Sequence, residues 1–144
     1  MADNKENCRR IFEEVWNQKN LNTVDELVAD EYVHNDASLP EPQRGVEAYK
    51  QFVTLYHRAF PDIHFTIEHM IAEGDMVAIR WNVIGTHRGD LPTLAATGLP
   101  MSLTGISIAR FRNGKGIESW NNWDGLGMLQ QLGAIPVEAK GKAA

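Results

Sequence analysis

The chain has little of what would tie a fold or a ligand together covalently. It has one cysteine in 144 residues, so it can form no internal disulfide and no thiolate zinc site. Cys8 falls on an apolar helical stripe, where a free thiol acts as a small buried hydrophobe. Metal-ligand spacing is missing too. The histidines at 34, 57, 64, 69 and 87 make no H-x-x-x-H or H-E-x-x-H pair, and no metal is expected. There is no G-x-G-x-x-G and no phosphate loop, so no cofactor is expected. Positive charge is scarce: 14 Lys and Arg face 19 Asp and Glu, for a net charge of −5. Arg9, Arg10 and the tail lysines Lys140 and Lys142 are too sparse to neutralise phosphates, which argues against nucleic acid. No stretch approaches the roughly 20 apolar residues of a membrane span. The opening "MADNKENCRR" has no apolar run of the kind a secretory signal needs. The expected setting is the cytoplasm, with no membrane partner.

What is present suits one domain over residues 1–144, because 43% of the chain is hydrophobic and 23% charged, enough for a core. Between Asn4 and Asn20, apolar residues at Cys8, Ile11, Phe12, Val15 and Trp16 follow a helical period. Thr23 with Glu26 reads as a capping box for a short second helix faced by Val24, Leu27 and Val28. "EYVHND" reads as extended, and "ASLPEPQRG" as a loop. A third helix spans Val46 to Phe60, with Tyr49, Phe52, Val53, Tyr56 and Phe60 on its buried face. Pro61 stops it.

The period then changes to two. Ile63, Phe65, Ile67, His69 and Ile71 share one face of a strand. "EGD" is a hairpin turn into a second strand over Met76–Gly85. "THRGDLPTLAATGLP" is a long loop. Met101–Arg112 and Gly116–Trp123 are two further strands joined by "NGK". Asp124 is placed to cap a last helix over Leu126–Leu132. Glu118 is expected to pair with Arg110 or Arg112. Helices followed by a run of antiparallel strands predict an α+β domain.

The order of motifs carries a resemblance. "FPD" (Phe60–Asp62) precedes "AEGDMVAIRW" (Ala72–Trp81), "GTHRG" (Gly85–Gly89) and a "TG" turn (Thr97–Gly98). "NGKGIESW", Asp124 and "QQLG" (Gln130–Gly133) follow. This resembles the SnoaL-like polyketide cyclase family of the nuclear transport factor 2-like superfamily, over roughly Asn7 to Pro136. The resemblance implies a cone-shaped, curved antiparallel sheet wrapped around N-terminal helices, and a homodimer across the sheet. It also implies a pocket for a small or polycyclic hydrophobic carbonyl compound. The family's aldol cyclases work without metal or cofactor: a buried carboxylate takes a proton from carbon, and polar groups hold the enolate oxygen. Counted without gaps, that carboxylate position falls on Asn121, its histidine partner on Ser107, and an asparagine on His34. An amide cannot be a general base near neutral pH.

The expected reading is a cofactor-independent cyclase or isomerase type of proton transfer, with His34 as acid–base group and Ser107 and Asn121 holding oxygen. Trp16, Tyr32, Phe52, Tyr56 and Trp123 would line the pocket, with Arg80 and His87 as further ligand contacts. A non-catalytic binding module and a related hydroxylase or hydrolase are the alternatives. No G-x-S-x-G surrounds Ser107, so it is not read as a hydrolase nucleophile.

Overall fold

A computed structural model describes residues 3–137; Lys140 and Lys142 lie outside them. The elements are α1 (Asn4–Arg10), a π-helical continuation (Ile11–Asn17), α2 (Asn22–Leu27), β1 (Val28–Asp36), β2 (Gln43–Arg44), α3 (Val46–Ala59), β3 (His64–Glu73), β4 (Met76–Thr86), β5 (Pro100–Arg112), β6 (Lys115–Trp123) and α4 (Gly125–Gln131). The six strands form one curved sheet in the order β2-β1-β6-β5-β4-β3, and the helices pack on its inner face.

Local signals decided most of this. The stripe on the first helix buries Cys8, Val15 and Trp16, although the helix widens after Arg10, with Gln18 N donating to Glu13 O at 2.9 Å. Asn17 then ties the helix to the sheet. Its amide donates to Phe65 O at 3.0 Å and accepts from Phe65 N at 2.7 Å. Gly74 at φ +60° makes the β3–β4 turn, and Asn113 and Gly114, both at positive φ, make the β5–β6 turn. Asp124 caps α4 by accepting from Gly127 N at 2.8 Å.

Five expectations are corrected. The capping box does not form, because α2 starts at Asn22, two residues before the Val24 that a Thr23 cap would require. Asn20 Oδ1 accepts from Asn22 N. Thr23 instead donates to Glu14 at 2.8 Å, and Glu26 pairs with Arg10. Val28 opens β1 instead of ending the helix. The sheet is not wholly antiparallel: β1 runs parallel to β6, since a strand placed before α3 reaches its neighbour without a hairpin. The alternation of β3 breaks at Glu68, where Ile67 pairs with Trp81 but His69 with Arg80. This bulge inserts one residue and exchanges the faces. Met70 then turns inward, and Ile71 is 69% exposed. Finally, Arg110 meets Asp75 at 3.6 Å and stacks over Trp120, while Glu118 accepts from Asn35 Nδ2 at 3.1 Å. The turn aspartate reaches the arginine where the cross-strand acid does not.

Candidate active site

Between the helices and the sheet lies a cavity of about 130 Å³ with mostly apolar walls. Period-two alternation puts Tyr32, His34 and Asp36 on one face of β1, and Ser119, Asn121 and Trp123 on one face of β6. Eight residues singled out in the sequence line this cavity: Trp16, Tyr32, Phe52, Tyr56 and Trp123 in the walls, and His34, Ser107 and Asn121 among the polar groups. Two do not. Arg80 points from the opposite face of β4 and is exposed, because the inward positions there are Val77, Ile79, Trp81 and Val83. His87 is fully buried against Phe60, with Nδ1 3.0 Å from Thr97 Oγ1. It organises the long loop and does not line the cavity.

The polar groups form one directed chain of hydrogen bonds, whose direction is fixed at its far end. An indole N–H only donates, so Trp81 Nε1 gives its proton to Ser107 Oγ at 3.0 Å. Ser107 donates to Asn121 Oδ1 at 2.7 Å. That orients the amide, whose Nδ2 donates to Ser119 Oγ and to Asn35 O, each at 2.9 Å. Ser119 Oγ lies 2.5 Å from the Tyr32 hydroxyl, which lies 3.2 Å from His34 Nδ1. Ser119 can pass its proton to Tyr32, and Tyr32 its own to Nδ1. Ser119 Oγ is also 3.4 Å from Nδ1, a second route with the same outcome. If Nδ1 donated instead, one hydroxyl proton would have no acceptor. Satisfaction of the network therefore assigns Nδ1 as an acceptor and puts the ring proton on Nε2.

His34 is 5% exposed, and Nε2 has no hydrogen-bond partner. Burial pushes its pKa down to about 4, against the nearby Asp36 charge, which raises it. The ring is neutral at pH 7. Burial lifts Tyr49 and Tyr56 to about 12 and Tyr32 well above its ordinary value, so the phenols keep their protons. Burial also raises the Cys8 thiol to about 12, which removes it as a nucleophile.

Sequence reasoning passed over Asp36, Ser119 and Trp81 as site residues. Asp36 is 7% exposed and is the carboxylate in the cavity lining. Both of its oxygens accept from Trp123 Nε1 at 3.1 Å. Its signal was available: it stands two residues after His34 on a strand. Among the described residues, no three His, Cys, Asp or Glu side chains cluster to hold a metal ion. No described helix is long and apolar enough to cross a membrane.

Comparison with known proteins places this geometry in a family. The profile of the SnoaL-like polyketide cyclases matches residues 6–132, and the chain belongs to that family. DauD, an aklanonic acid methyl ester cyclase of Streptomyces sp. (strain C5), is 32% identical over 127 residues, covering 86% of this chain and 78% of that protein. DnrD of Streptomyces peucetius, also an aklanonic acid methyl ester cyclase, is 32% identical over 127 residues, covering 86% and 87%. A SnoaL-like protein of Jannaschia sp. CCS1 has the same fold, with a TM-score of 0.85 at 21% identity over 92% of this chain and 93% of that one.

Proposed function

We propose that the cavity binds a small hydrophobic carbonyl compound and that the protein moves a proton at the carbon beside that carbonyl, in a cyclase or isomerase type of reaction without a cofactor. The observation that carries this reading is the unpartnered Nε2–H of His34. A buried donor without an acceptor is costly, and a ligand oxygen would relieve it. Ser107 and Asn121 spend their polar atoms on the chain that orients His34. The division of roles therefore differs from the one expected from the sequence: His34 holds the oxygen, and Ser107 and Asn121 position His34. Size narrows the ligand. A cavity of about 130 Å³ is close to the roughly 150 Å³ apolar cavity that holds one benzene, which favours a compound of about one ring.

The test pairs cyclohexanone with methylenecyclohexane, which has the same shape and no oxygen. The wild type is expected to bind the ketone about tenfold more tightly, the worth of one hydrogen bond, and His34→Phe to lose that preference. Proton transfer is read as deuterium exchange at the α-carbon by NMR. Binding without exchange would make the protein a binding module, a reading favoured by the amide at Asn121. Absence of ketone preference would end the proposal.

We also propose a homodimer through the outer sheet face. Ile106 and Ile108 are 53% and 38% exposed there, two residues apart on β5, with Ile108 level with Trp120 on β6. Apolar patches of this kind mark interaction surfaces. Sedimentation equilibrium should give a dimer mass for the wild type and a monomer mass for Ile106→Glu. A monomeric wild type would contradict the proposal.

A further inference from the structure

Asn121 stands where the resembled cyclases keep their acid, yet the cavity is not without one. Asp36 is the register partner of Asn121 across the parallel β1–β6 ladder. Neighbouring strands lie about 4.8 Å apart, and residues level across them point to the same face. The carboxylate thus stands one strand to the side of the expected position. It is two residues along β1 from His34, roughly 6.6 Å at strand rise and on the same face.

Its two oxygens are unequally engaged. Oδ1 accepts from Ser38 N at 2.8 Å, Ser38 Oγ at 2.6 Å and Trp123 Nε1 at 3.1 Å. Oδ2 accepts from Trp123 Nε1 alone, at 3.1 Å. The turn closed by Ser38 accounts for Oδ1. It does not account for a carboxylate that is nearly buried, lines the cavity and keeps a lone pair free on its second oxygen.

We propose that Asp36 is the proton acceptor of this site, taking over from the strand beside it the work that an acid at position 121 would do. The assignment rests on the proton-transfer reading given above. In the step, Asp36 Oδ2 takes the proton from the carbon next to the carbonyl. The C–H bond breaks and an O–H bond forms. The C–H electron pair becomes the new C=C bond, and the carbonyl π pair moves to oxygen. His34 Nε2–H holds that oxygen. Return of the proton to carbon restores the carboxylate, so no oxidant, reductant or second reactant is consumed.

Asp36→Asn separates this role from the turn, because an amide oxygen can still accept from Ser38 and Trp123. Exchange at the α-carbon of cyclohexanone in D₂O should fall at least about 100-fold, the usual contribution of a positioned base. Cyclohexanone affinity should stay within about threefold, since the binding oxygen is held by His34. Ser38→Ala is the control: it removes the Oγ bond to Oδ1, keeps the backbone N–H bond and the carboxylate, and should keep most of the exchange rate. Exchange retained in Asp36→Asn would overturn the assignment, as would an equal loss in Ser38→Ala. If the wild type binds cyclohexanone but exchanges nothing, the proton-transfer reading fails and Asp36 goes with it. If the wild type and Asp36→Asn exchange alike, only Asp36 is wrong.

Discussion

Gly105→Ala is expected to destabilise the protein by about 3 kcal/mol, the upper part of the range for overpacking a filled core. Gly105 pairs with Trp81 across β4 and β5, and the Trp81 indole lies flat over it. A Cβ at 105 would stand 2.3 Å from Trp81 Cζ2 and 2.5 Å from Cη2. The indole cannot simply swing aside. It is 6% exposed, packs on Phe65 with ring centres 5.1 Å apart, and donates to Ser107. Moving it breaks the first bond of the chain that ends on His34. Gly105→Ala should therefore lose stability in urea and also lose the preference for ketone over methylenecyclohexane. A double-mutant cycle with Trp81→Phe checks the cause. The smaller ring leaves room for the methyl group, so the cost of Gly105→Ala should fall by at least about 1 kcal/mol in that background. Additive costs would mean that the Trp81 contact is not the source.

That chain also shows where the sequence was legible and where it was not. Helix α3 was readable because its buried face recurs every three or four residues. The two hairpins were readable because Gly74, Asn113 and Gly114 sit where the turns need positive φ. These signals are local. The pairing of β1 with β6 is not: it joins residues more than eighty positions apart, and neither strand carries a mark of its partner. Ser107 and Asn121 were reached by gapless counting along the family resemblance, and they are indeed level with each other on β5 and β6. What they do was out of reach, because their roles depend on which atoms are already occupied. Trp81 is by position an ordinary inward residue of an alternating strand. Only its Nε1, pointed at Ser107, makes it the donor that sets the direction of the network. Asp36 was within reach: "EYVHND" reads as extended, which puts Asp36 on the same face as His34, and β1 does carry its inward face through Asp36, but the family resemblance directed attention to position 121.

Stability should fall steeply as pH drops from about 6.5 to 4, and His34 should account for much of the loss. In the unfolded chain the imidazole titrates near 6.5. In the fold, burial holds it down to about 4. Between those values the unfolded state binds a proton that the folded state refuses, so unfolding gains with every step toward acid. Above about pH 7 both states are neutral and this contribution has no slope; below about 4 both are protonated and the loss is complete. The interval corresponds to about 3 kcal/mol. Few neighbours can soften it. Tyr32 on β1, Tyr49 on α3, and Ser119 and Asn121 on β6 are neutral, and the Asp36 charge is the opposing influence. His57, bonded to Trp16 O and lowered chiefly by burial, adds to the effect with the same sign. The surface carboxylates Glu14 and Glu26, lowered by hydrogen bonds from Arg10, act in a more acidic window. Urea unfolding at pH 7.5, 5.5 and 4.5 should show wild type losing about 2–3 kcal/mol more than His34→Asn. Asparagine is the residue that the resembled cyclases carry there, and it does not titrate. Parallel pH curves for the two proteins would mean that His34 is not held neutral by the fold. The neutral Nε2–H donor on which the proposed oxygen contact depends would then no longer follow.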